Sequence, residues 1–172
     1  MKKTSFILAV ALAFTMGVNA QKYALVDMEY ILKNVPAYER ANEQLNQLSK
    51  KWESEVQALL TDVESQYKKY QSETVFLSDT QKKKAEEAII AKEKQASDLK
   101  KKYFGSEGDL YKKRQSLMAP IQDEIYNAVK DICDQKGYQL VLDRASGGSI
   151  IYASPKIDIS DEVLTKLGYS TK

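Results

Sequence analysis

Between Ala37 and Thr74 the chain has no glycine or proline, and its apolar positions return in steps of three and four: Leu45, Leu48, Trp52, Val56, Leu59, Val63, Tyr67 and Tyr70. That is an eleven-residue rhythm, about 3.67 residues per turn, which predicts one nearly straight helix. The stripe is narrow and the intervening positions are Lys, Glu, Gln and Ser, so the helix buries one seam and keeps the rest in water. The run Val75-Phe76-Leu77-Ser78-Asp79-Thr80 interrupts the pattern, and Ser78 with Gln81 three residues on forms a capping box that opens a second helix. This helix is expected to reach Lys136, where Gly137 supplies a left-handed end. Its seam is Ala85, Ala88, Ile89, Ala96, Leu99, Tyr103, Leu110, Leu117, Ile121, Ile125, Ala128 and Ile132. Lys92, Ser106 and Arg114 fall where apolar residues are expected, which weakens packing toward the tip. Folding about residue 77 sets Ala37 opposite roughly residue 118, giving an arm of about 38 residues and roughly 55 Å.

Extended segments lie at the two ends. Tyr23-Ala24-Leu25-Val26 is a short strand, and Asp27 caps a brief helix through Ile31 and Leu32 that stops before Pro36. After Gly137, Tyr138-Gln139-Leu140-Val141-Leu142 reads as a strand, Ser146-Gly147-Gly148 as a turn and Ser149-Ile150-Ile151-Tyr152 as a further strand. Pro155 leads to Ile157-Asp158-Ile159, and Ser160 is expected to cap a last helix with Val163, Leu164 and Leu167. Pro120 predicts a kink at the base of the arm. Gly105 and Gly108 are either a bending point or two tolerated glycines, each costing about 1 kcal/mol relative to Ala. The fold class is therefore α+β, mostly α. Residues 21–36 and 120–172 form a small β/α body, and 37–119 a long antiparallel hairpin with its tip at about 75–80.

Such a body is too small to close a core alone. Leu140 and Leu142 with Val141 between them put apolar side chains on both pleat faces, so both faces are expected to meet protein. The oligomerisation residues are Tyr23, Leu25, Val26, Tyr138, Leu140, Val141, Leu142, Ile150 and Ile151. These patterns predict an oligomer and leave its number open.

The first twenty residues do not enter this fold. Lys2 and Lys3, the apolar run Phe6 to Met16, and Val18-Asn19-Ala20 before Gln21 have the layout of a secretory signal peptide cut after Ala20, which predicts export to the periplasm. Removing Lys2 and Lys3 leaves 24 basic against 24 acidic residues, a balance unlike that of a nucleic-acid binder. Charge is still uneven: from Gln66 to Lys102 there are ten lysines and six acids. The single cysteine, Cys133, excludes an internal disulfide and is either a small buried apolar residue or an intermolecular bridge. With no histidine, His-based acid/base chemistry, His-activated nucleophiles and His metal sites are absent; no phosphate-binding glycine loop exists. No catalysis, cofactor or metal is expected.

Val26-Asp27-Met28 before a short helix, the Lys/Glu/Gln-rich hairpin, Lys136-Gly137-Tyr138-Gln139-Leu140-Val141-Leu142-Asp143, and Ile157-Asp158-Ile159-Ser160-Asp161-Glu162-Val163-Leu164 together resemble the Skp (OmpH-like) family across the mature chain. The strand after Gly137 and the ending are the specific parts. The resemblance implies a homotrimer whose strands join in a central barrel, and whose arms hold unfolded outer-membrane proteins without ATP. Better-known members are markedly basic, whereas this mature chain is neutral. Contact with lipopolysaccharide or a membrane surface stays open.

On that reading clients meet Tyr67, Tyr70, Tyr103, Val75, Phe76 and Leu77 through apolar contact, and Lys68, Lys69, Lys82, Lys83 and Lys84 through salt-screened attraction. Alternatively Tyr67 and Tyr103 fill the hairpin seam and the lysines form a solvated face. Gly105, Gly108 and Pro120 are the hinge candidates. A reading of another class is a structural coiled-coil spacer or adaptor of the cell envelope.

Overall fold

The computed structural model describes residues 21–146 and 150–169; the expected signal peptide, and Gly147, Gly148 and Ser149 of the expected turn and strand, lie outside the described residues. The described chain divides into two compact units, residues 21–34 with 126–169, and residues 35–125.

In the first unit, β1 (Lys22–Val26) pairs in parallel with β2 (Tyr138–Asp143), with Leu25 opposite Leu142. Parallel strands need a long crossover, and here the whole helical segment supplies it. Ala24, Leu25 and Val26 are all buried, so both faces of β1 are covered. Its other edge meets the Asp158 backbone, and the Ile159 N–H donates to the Leu25 carbonyl at 2.9 Å. Helices α1 (Met28–Lys33) and α5 (Ser160–Lys166) pack together around Ile31, Val163 and Leu164, none of which retains exposed surface.

Polar groups lock this unit. Asp27 caps α1 by accepting from the Tyr30 N–H at 2.9 Å, and its other oxygen receives Arg144 at 2.9 Å. Arg144 also lies 3.4 Å from Asp158. Asp143 accepts from the Met28 N–H at 3.1 Å and the Ala145 N–H at 2.9 Å. The Tyr30 N–H bond, then Arg144, hold the Asp27 carboxyl below its usual range against an opposing effect of burial. A carboxylate with a lowered folded-state pKa contributes stability that is complete above about pH 4 and is lost as pH falls through the folded value. Asn is as good a cap as Asp, so Asp27→Asn removes the charge and keeps the cap. The variant is expected to unfold more easily than wild type at pH 7 and no more easily near pH 2. Chemical denaturation across that range tests this; a difference that persists at pH 2 would remove the charge from the explanation.

Two expectations are corrected here. Residues 150–152 join no strand: a strand exists only through its ladder, and these residues pair neither with β1, whose edges meet β2 and Asp158, nor with the other edge of β2. Ile151 is left fully exposed. Nor does Ser160 cap α5: Ile159 holds the cap position without a side-chain bond. The buried Ser160 hydroxyl instead accepts from the Asp27 N–H at 2.8 Å and donates to Asp158 at 2.6 Å.

In the second unit, α2 (Pro36–Glu73) spans 38 residues. Pro36 sits in its first turn, where its missing N–H costs nothing. A 3₁₀ turn (Thr74–Phe76) leads to α3 (Asp79–Phe104), opened by the reciprocal Ser78–Gln81 capping box. Cross-helix bonds Tyr103 to Glu55, Lys92 to Asp62 and Tyr70 to Glu86 are all centred near Ser78, which fixes an antiparallel hairpin. Lys92, out of place in an apolar seam, is thus an ion-pair partner for Asp62 across the hairpin. The second arm helix is not continuous to Lys136. It ends at Gly105, whose backbone turns extended (φ −62°, ψ 166°), and α4 (Asp109–Lys136) begins anew. The Gly108 N–H donates to the Gly105 carbonyl at 2.9 Å, and a Cβ on Gly108 would stand 2.8 Å from the carbonyl oxygens of both Lys102 and Tyr103. The turn therefore excludes any larger residue in this geometry. Helix α4 passes through Pro120 without ending.

Candidate functional site

The hairpin tip shows apolar surface where α2 gives way to the 3₁₀ turn. Val75 and Phe76 are 81% and 86% exposed, and Leu77 is half-buried. Of the neighbouring cations, Lys68 pairs with Glu64 at 2.5 Å, a bond that also lowers the pKa of Glu64. Lys69, Lys82, Lys83 and Lys84 have no acidic partner within ion-pair distance among the described residues.

The three tyrosines of the arm separate. Tyr67 is half-exposed, whereas the Tyr70 hydroxyl donates to Glu86, which pushes its phenol pKa upward. Tyr103 is held inside the hairpin: its ring stacks on Trp52 with centroids 4.5 Å apart, and its hydroxyl donates to Glu55 at 2.7 Å, again raising the phenol pKa. Phe104 meets both rings edge-on, and Lys102 Nζ lies 5.5 Å from the Tyr103 centroid. This aromatic cluster abuts the Gly105–Gly108 break.

The residues expected to drive assembly separate too. Leu25 and Val26 are core of their own unit. Tyr138, Val141 and Ile150 are half-buried, while Tyr23, Leu140, Leu142 and Ile151 are exposed. Leu140 and Leu142 share one pleat face. Cys133 is half-buried, with its thiol pKa raised by burial and then by Asp134.

Sequence reasoning passed over a groove of about 670 Å³ on one edge of the hairpin, lined by Lys50, Glu53, Leu60, Lys100 and Phe104 among others. Its apolar walls are Val56, from the seam, and the second members of two apolar pairs, Leu59-Leu60 and Tyr103-Phe104. The first member of each enters the seam; the second, about 100° further round, does not. Among the described residues no cluster of His, Cys, Asp and Glu is placed to hold a metal, and no helix is long and apolar enough to cross a membrane.

Residues 22–167 match the model of the family described as outer membrane protein (OmpH-like). The chain belongs to the OmpH-like family. Similar OmpH-like relatives include the chaperone protein Skp of Yersinia enterocolitica, 27% identical over 160 residues that cover 93% of this chain and 94% of that one. The chaperone protein Skp of Photorhabdus laumondii is 27% identical over 159 residues, covering 92% and 93%. A crystal structure of an OmpH-like protein from Caulobacter crescentus CB15 shares the fold, with a TM-score of 0.71 at 12% identity over 88% of this chain and 86% of that one. The hairpin and the small parallel sheet are the family's architecture as it stands in this chain.

Proposed function

We propose that this protein is an ATP-independent periplasmic holdase that keeps unfolded outer-membrane proteins from aggregating. The observation that carries the reading is the co-linear match to the OmpH-like family from residue 22 to 167, with relatives named chaperone protein Skp along nearly their whole length. The working form is a homotrimer in which copies pool their terminal strands and the hairpins surround a shared space. Support comes from the body itself: a two-stranded sheet is marginal alone, β2 has one edge without a strand partner among the described residues, and Leu140 and Leu142 are exposed beside it. Clients are held by many weak contacts, apolar ones at Val75, Phe76 and Tyr67 and charged ones from Lys69 and Lys82 to Lys84. Enclosing a client blocks the edge-to-edge strand pairing that starts aggregation.

The test is to dilute a urea-unfolded outer-membrane β-barrel protein into buffer with and without the purified protein and follow light scattering. Suppression at one trimer per client is expected, weakening with salt in so far as lysines contribute. Scattering that rises equally with and without the protein would end the holdase reading.

A further inference from the structure

The two edges of the hairpin differ in the large apolar side chains they leave exposed. One is tied across by polar bonds, Lys92 to Asp62 and Tyr103 to Glu55, and has near the tip a groove of about 340 Å³ that includes Tyr70, Leu77 and Ile89. The other carries the groove with Leu60 and Phe104 and, nearer the tip, the cross-helix bond of Tyr70 to Glu86, since Glu86 lies about five turns from Phe104 on the same face. Residues seven apart on a helix share a face, so Tyr67 lies on the Leu60 side of α2, and Ile90 on the Phe104 side of α3. Leu60, Tyr67 and Ile90 are 44%, 50% and 61% exposed. Ile90 repeats the doublet logic, following the buried Ile89. With the helices paired about Ser78, Phe104 stands level with Trp52, and Ile90 level with Tyr67. The apolar side chains thus form a line of steps toward the tip: Phe104, Leu60, then Tyr67 with Ile90, then Val75 and Phe76. Successive steps lie roughly 10–13 Å apart at 1.5 Å per residue.

We infer that this edge is the surface on which each arm takes its client, and that the occupant is an extended segment whose apolar and polar residues alternate. This rests on the holdase reading. In an extended chain residues four apart lie on one pleat face about 13 Å apart, which matches the steps. Between them the edge offers both signs of charge, Lys50, Glu53, Glu64 and Lys100, to the polar residues of such a segment. Alternation of this kind is the pattern of a strand destined for a membrane β-barrel. A folded partner or a second copy is the poorer occupant, because stable interfaces gather their apolar side chains into one compact, desolvated centre, whereas these stand as separate steps along the arm.

The test places a photo-cross-linking residue, Leu60→p-benzoylphenylalanine or Ile90→p-benzoylphenylalanine, on this edge. Ala88 and Gln95, both exposed and each one residue before a buried position, Ile89 and Ala96, are turned the other way and receive it on the opposite edge. The probe is a urea-unfolded outer-membrane β-barrel protein diluted with the full-length mature chain. Cross-links are expected from positions 60 and 90 and not from 88 and 95, and Leu60→Ser with Ile90→Ser should weaken client binding about tenfold. Equal cross-linking from both edges, with aggregation still suppressed, overturns the inference and leaves the holdase reading standing. Client-free cross-links between copies at 60 and 90 would make the edge an arm-to-arm contact and overturn it as well. An absence of client cross-links at every position, with aggregation unsuppressed, removes both.

Discussion

Leu140→Asp combined with Leu142→Asp is expected to turn the proposed trimer into a monomer. The two side chains share one face of β2 and remain 46% and 44% exposed in the single chain, so the chain itself tolerates a charge there. In a pooled core the same positions would bury two carboxylates per copy without partners, and an unpaired buried charge costs several kcal/mol. Three copies multiply that penalty around one axis. Light-scattering mass measurement in solution should give one-third of the wild-type mass, with helix content by circular dichroism largely retained, because the hairpin is a separate compact unit. An unchanged mass would show that this face takes no part in assembly.

Leu164→Ala is expected to have the largest effect within a single chain. Leu164 is fully buried with Val163 and Ile31 in the packing of α5, seven residues long, against α1, six residues long. Helices this short have no stability of their own and persist only through packing. Truncating a fully buried Leu to Ala costs about 3 kcal/mol, a large part of the 5–15 kcal/mol that typically separates folded from unfolded. Ile31→Val removes one methylene from the same contact and should cost about 1 kcal/mol. Urea denaturation should rank wild type, Ile31→Val and Leu164→Ala in that order. Equal midpoints would mean that the terminal helices contribute nothing to cooperative folding.

The hairpin was readable because its cause is local. A run without glycine or proline, a repeating apolar step and the Ser78–Gln81 box each act within a few residues, and all three appear in the structure. The failures share the opposite property. A window around Ser160 looks like a helix cap, but its hydroxyl is captured by the Asp27 N–H, 133 residues away. Residues 150–152 have strand composition, and composition supplies no ladder partner: they pair with neither β1 nor β2. Gly105 and Gly108 could be read two ways until the carbonyl of Lys101 at the first, and those of Lys102 and Tyr103 at the second, left no room for a Cβ. The groove edge was written in the sequence as doublets, but a seam traced one residue per turn discards the second member of each pair.

The same break carries its own signal. Trp52 is the sole indole of the chain, and it lies flat on the tyrosine that closes α3 just before the helix stops. Any change in how the two halves of the returning strand of helix meet must alter the surroundings of that one ring. Excited to the red of the absorption of its eleven tyrosines, the unlabelled protein therefore emits from this joint alone, with no dye attached.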